Sequence, residues 1–227
     1  MTNASRSQKL ILTLFLASAA ISMPAISEGA VVANPHALVD GASSCVSSDP
    51  NHLCLGVSMV SFTDNNVPTI SQAEAIATID RINLVWGQCN VGFQLENYSA
   101  VDPTTKDLSF NVSWKSGGDS VREAFASNST FLVVAVGKLK QLFSSTLAVS
   151  WMPGQSDVYG TLVESAYAQN ELTVGHELGH YQGLSHVSDE TNLLNPFLGP
   201  DTRTLTSDQC ALARSTDQSF WPKMLRN

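Results

Sequence analysis

His176-Glu177-Leu178-Gly179-His180-Tyr181-Gln182-Gly183-Leu184-Ser185-His186 reads H-E-x-x-H-x-x-G-x-x-H. On a helix over 171–182, His176 and His180 lie four apart on one face and turn two imidazoles toward one point, with Glu177 beside them. Gly183 permits the left-handed turn that ends a helix, so the chain can swing back and bring His186 to the same point. Three neutral imidazoles leave a fourth tetrahedral position open to water, which separates a catalytic zinc from a closed structural one. A bare H-E-x-x-H arises by chance on exposed polar helix faces; the added Gly and third His at fixed offsets make the metal reading specific.

Upstream of this segment the pattern alternates strands with helices. Leu55–Phe62 is rich in Val and reads as a first strand. Ser71 with Glu74 forms a capping box, and Ile76, Ile79, Ile82 or Asn83, and Trp86 follow at helical spacing, predicting an amphipathic helix to about Gly87. Val91–Glu96 and a short stretch around Phe110–Trp114 read as strands, and Asp119 caps a short helix through Ala126. Thr130–Val136 is nearly unbroken in its apolar character, as a buried central strand requires. Thr146–Trp151 is a strand that stops at Met152-Pro153-Gly154, and Tyr159–Tyr167 supplies one more before the histidine helix. Downstream, Thr206 with Gln209 opens a last capped helix to about Ser215, carrying Cys210.

The whole chain bounds the setting. Its 227 residues, 43% hydrophobic, suffice for one domain with a real core. Residues 1–27 read as a secretory leader: Arg6 and Lys9 precede an apolar run from Leu10 to Ile21, too short to span a bilayer, with cleavage after Ala19, Ala25 or Ser27. Residues 28–69 form an N-terminal segment with a small disulfide loop and the first strand, and 70–227 the main domain. Export implies a secreted or periplasmic protein without stable membrane association once the leader is gone, and a monomer is expected. The formal charge is −8; removing Arg6 and Lys9 takes 12 basic residues to 10 against 20 acidic, or −10, which argues against nucleic acid as a partner.

An oxidising compartment lets Cys45, Cys54, Cys89 and Cys210 pair in three ways. The expected pairing joins Cys45 to Cys54 across a small polar loop, and Cys89 to Cys210 between the end of an early helix and a late one. A competing reading makes Cys45, His52 and Cys54 a second metal site. Otherwise His36 and His52 read as surface residues, and Glu28–Ser44 as a flexible entry segment.

The eleven residues from His176 to His186 resemble the zinc-binding signature of the metzincin metalloendopeptidases. The resemblance extends in plan over roughly residues 70–215. It implies an α+β fold in which a twisted mixed sheet carries a packing helix and an active-site helix, followed by a small C-terminal subdomain with one helix. It further implies one Zn2+ held by His176, His180 and His186, Glu177 as general base, and a protein or peptide substrate extended along Thr146–Trp151 as an edge strand, for which the alternative is an ordinary core strand. Some members stay latent through a pro-segment cysteine on the zinc, a part for which Cys45 lacks the surrounding residues. The family turns beneath the metal on a methionine; here Leu194 stands in that place. Val187 after the third His and Pro196 after the turn also depart from the named subfamilies, leaving a matrixin-like plan outside their pattern. The alternative is a catalytically weak or inactive zinc-containing binding module on the same scaffold.

Overall fold

The structure, a computed structural model, describes residues 36–113, 117–140 and 146–226. The expected leader lies outside these residues, as does Trp114. Among them run, in chain order, β1 Leu53–Asp64, β2 Val67–Pro68, α1 Gln72–Trp86, β3 Val91–Val101, β4 Val112–Ser113, α2 Gly118–Phe125, β5 Phe131–Val136, β6 Leu139–Lys140, β7 Ala148–Val149, β8 Thr161–Glu164, α3 Glu171–Tyr181 and α4 Ser207–Ser219.

β1 occupies the middle of a mixed sheet. It pairs in parallel with β3 on one side and β5 on the other; β5 pairs in parallel with β8, and β7 ends the order antiparallel to β8. Every residue of β5 is buried, as its unbroken apolar run predicts for a strand covered on both faces. Its alternation divides the core: Phe131, Val133 and Ala135 join Ile79, Ile82, Trp86 and Leu178 on the face of α1 and α3, while Leu132, Val134 and Val136 join Phe62, Val121 and Leu162 on the face of α2. The architecture is thus the expected α+β sheet with a packing helix, a helix that carries His176 and His180, and a later C-terminal helix.

Local signals account for the helix starts. Ser71 and Glu74 close the capping box of α1, and Thr206 with Gln209 does the same for α4, which continues past Ser215 to Ser219. The start of α2 differs from expectation. Its N-cap is Gly117 without a side-chain cap, and Asp119 sits in the first turn, where its carboxylate accepts hydrogen bonds from Arg122 and Trp151 instead.

Both expected disulfides form, Cys45–Cys54 and Cys89–Cys210, the second closing 121 residues of chain. Committing these sulfurs removes the second metal site and any latency role for Cys45. His52 is half-buried, with Nδ1 2.9 Å from Asn90 Oδ1, and not simply a surface residue. The entry segment, where described, is docked: Val39 N–H bonds Leu95 O at 3.0 Å, and Val39 and Ala42 pack against the core. Two small apolar side chains and an edge carbonyl contribute to holding it, together with hydrogen bonds from Ser44 and Cys45 to Gln94.

Candidate active site

α3 is set by its ends. Asn170 caps it by accepting from Leu172 N–H at 2.9 Å and Thr173 N–H at 3.0 Å, satisfying donors that a helix leaves unpaired. At the other end Gly183 adopts φ +82°, and Leu184 N–H returns to Gly179 O at 2.9 Å. That left-handed residue reverses the chain and brings His186 back beside the helix.

The three imidazoles converge. His186 Nε2 lies 3.1 Å from both His176 Nε2 and His180 Nε2. His176 Nδ1 is 2.6 Å from Leu193 O, and His180 Nδ1 is 2.7 Å from Leu184 O. A carbonyl only accepts, so each Nδ1 carries the proton and each Nε2 presents a lone pair to the shared centre. Burial lowers the pKa of all three rings, that of His176 to about 3, with repulsion from neighbouring rings adding to it for His176 and His180. The rings are therefore neutral at physiological pH, the form in which imidazole ligates a metal.

This donor set fits a metal ion. Tetrahedral zinc with bonds of about 2.0–2.1 Å needs nitrogens roughly 3.3–3.4 Å apart, close to the spacing present. Lone pairs aimed at one another repel unless a cation sits between them. The triad can hold one ion.

The Leu-for-Met turn beneath the triad is formed by Asn192-Leu193-Leu194-Asn195. Asn192 Oδ1 accepts Leu194 N–H at 2.9 Å, and Val187 N–H bonds Leu194 O at 3.1 Å, tying the third-histidine loop to the turn. Leu194 is fully buried, with its methyls against α3 at Gly179. A leucine thus fills the space expected of methionine, a volume-conserving exchange. Tyr181 packs instead of facing the cleft: its ring stacks on Phe131 at 4.7 Å.

Glu177 is 6% exposed, and its Oε2 is buried without a hydrogen-bond partner among the described residues. Burial lifts its pKa to about 7, opposed by a hydrogen bond from Ser150 and by the charge of Arg122. A carboxyl poised there exchanges protons readily near neutral pH.

Ser150 follows β7, the edge strand expected within Thr146–Trp151. The regular ladder covers only Ala148–Val149. Leu147 O accepts Glu164 N–H at 2.8 Å, which fixes the alternation: residues 147 and 149 bond toward β8, and the backbone groups of Ala148 and Ser150 point off the sheet. Their side chains face α3, and Ser150 Oγ lies 2.7 Å from Thr161 Oγ1.

The structure brings together His176, His180, His186, Glu177 and the Thr146–Trp151 segment. Reading the sequence did not find Ser150 as a neighbour of Glu177, the carbonyls of Leu184 and Leu193 behind two histidines, or buried Arg122. Backbone acceptors have no residue signature; Asn192, whose side chain shapes the turn, was the one legible cue.

No protein-family model matches this sequence, and no curated protein matches it. Solved structures do match. Mature mirolysin of Tannerella forsythia, in complex with a cleaved peptide, superposes with TM-score 0.55 at 11% identity, over 78% of this chain and 99% of that one. Archaemetzincin of Methanopyrus kandleri gives TM-score 0.51 at 12% identity, over 76% and 99%. The fold described above is shared with both.

Proposed function

We propose that the protein is a secreted zinc-dependent endopeptidase. The observation that carries this reading is the convergence of three imidazole Nε2 atoms beside a buried, partly unsatisfied carboxylate, at the open edge of the sheet. His176, His180 and His186 would hold one zinc, which supplies a Lewis acid and lowers the pKa of water toward ~7. Glu177 accepts a proton from the attacking water at its carboxylate and passes it to the nitrogen of the departing amine. Ser150 lies beside that carboxylate and opposes the rise in its pKa that burial causes. An extended peptide pairs with the outward backbone groups of Ala148 and Ser150, adding a strand beside β7. Mirolysin in complex with a cleaved peptide supports a peptide as the substrate of this fold.

Two disulfides support export, as does the expected leader over residues 1–27. No helix among the described residues is long and apolar enough to cross a membrane.

Metal analysis and cleavage of an unstructured peptide library test this reading. Wild type is expected to bind one zinc per chain and to cut internal peptide bonds. Glu177→Gln is expected to keep the zinc and lose roughly 10²–10⁴-fold in kcat. A zinc-loaded wild type with no more cleavage than Glu177→Gln would identify the binding-module alternative instead.

A further inference from the structure

α2 lies on the face of the sheet away from α3, yet one of its side chains reaches the substrate edge. Arg122 is fully buried. Its Nε donates to Gly160 O at 2.7 Å, its Nη2 to Val149 O at 3.3 Å, and its Nη1 to Asp119 Oδ1 at 3.0 Å. The guanidinium also lies over the Trp151 ring, 5.5 Å from its centroid, and Trp151 Nε1 donates to the same Asp119 Oδ1 at 3.0 Å. The backbone accommodates this arrangement: a Cβ on Gly160 would meet Arg122 Cγ at 3.0 Å.

A buried guanidinium is a costly way to fill space, since an apolar side chain would occupy the same volume without desolvating a charge. What arginine adds is direction. Its planar fork holds three acceptors in fixed relative positions. One of them, Val149 C=O, shares a rigid peptide plane with Ser150 N–H, and the two groups point in opposite senses. Fixing the carbonyl therefore fixes where the Ser150 N–H points, which is off the sheet. Asp119 and the Trp151 contact hold the next residue, so Ser150 is bracketed on both sides.

We infer that Arg122, with Asp119 as its counter-charge, is a positioning residue that aims the edge-strand backbone at the substrate from the opposite face of the sheet. The inference takes its substrate from the peptidase reading; the bracing of residues 149–151 stands on geometry alone.

The test uses zinc-loaded full chain carrying Arg122→Met, Arg122→Lys or Asp119→Asn. Two substrates are compared: a ten-residue unstructured peptide and a blocked dipeptide amide too short to pair with β7. Arg122→Met is expected to lower the long-to-short ratio of kcat/KM about ten-fold, chiefly through KM of the long peptide. Arg122→Lys, which retains charge but not the fork, should recover part of that loss, and Asp119→Asn should show a smaller loss in the same direction. Amide hydrogen exchange over residues 146–152 should quicken in Arg122→Met while zinc content and exchange in α3 hold. Should Arg122→Met not fold, Asp119→Asn and Trp151→Phe carry the same two measurements. Equal losses on both substrates, or unchanged exchange at 146–152, overturn the inference. If wild type cleaves neither substrate, the peptidase reading falls, and the exchange measurement alone decides whether Arg122 braces this strand.

Discussion

Two edges of the sheet, β3 and β7, are finished in opposite ways. At β3, Asn83 brackets Phe93, accepting its N–H at 2.7 Å and donating to its carbonyl at 2.8 Å. Val39 N–H then takes Leu95 O, and buried Gln94 accepts from Ser44 and Cys45 in the segment beyond. That edge is closed by side chains and by a strap of chain. At β7 the backbone groups of Ala148 and Ser150 point outward, and among the described residues no further strand pairs there. An open edge invites pairing with another chain, and proteins usually cover it. Here the edge left open is the one beside Glu177 and the three histidines, and it is kept to a ladder of two residues. The difference teaches that the two edges are handled separately: one is closed by side chains and a strap of chain, and the other is left open, where the proposed function seats its substrate strand.

The largest expected effect falls on the open edge. Ser150→Pro deletes the outward N–H, which should cost about 100-fold in kcat/KM for a long peptide with zinc retained. Ser150→Ala keeps the N–H and loses only the hydroxyl contacts to Thr161 and Glu177, so it should lose much less. Equal losses in the two variants would show that the hydroxyl, not the edge, matters, and would break the comparison.

At the closed edge the expectation reverses. Asn83→Ala strands the Phe93 N–H and carbonyl, and should cost about 1–3 kcal/mol in urea unfolding. The preference for long over short peptides should be untouched. A change in that preference would mean that β3 also meets substrate.

These two edges also show what was readable in advance. Asn83 sits on the helical stripe of α1, and its sequence position says nothing of a strand ten residues later. The strand over Thr146–Trp151 was legible because the turn signal Met152-Pro153-Gly154 terminates a short apolar run; that it is an edge strand came only from the family resemblance, since a central strand would carry the same local pattern. The capping boxes at Ser71 and Thr206 were legible because a cap needs only residues three apart. The histidine convergence was legible for the same reason: helical spacing and one left-handed glycine generate it locally. Arg122 was not, because its partners Val149, in β7, and Gly160, just before β8, lie far along the chain, and its role depends on backbone carbonyls that every residue carries. Asp119 was misread as a cap, since its actual partners, Arg122 and Trp151, include one far along the chain.

The smallest effect tests whether the open edge, and not a loosened α3, explains the losses above. Just past the C-terminal end of α3, Gln182 Nε2 donates to Asp217 Oδ2 on α4 at 2.9 Å, and both residues are fully buried. Gln182 Oε1 and Asp217 Oδ1 have no partners among the described residues. Burial raises the Asp217 pKa well above its usual value, against the opposing pull of the Gln182 hydrogen bond and the Arg214 charge. The folded chain therefore keeps a proton that the unfolded chain releases at lower pH. Stability should fall as pH rises from the unfolded to the folded pKa, with a slope of at most about 1.4 kcal/mol per pH unit. Asp217→Asn removes that slope and supplies an N–H in place of the orphan acceptor, so unfolding midpoints measured across pH should flatten and lie above wild type at the alkaline end. Because Asp217 touches neither edge, the long-to-short peptide ratio should match wild type at every pH; a ratio that followed the stability change would place control of substrate preference in α3 instead of in β7.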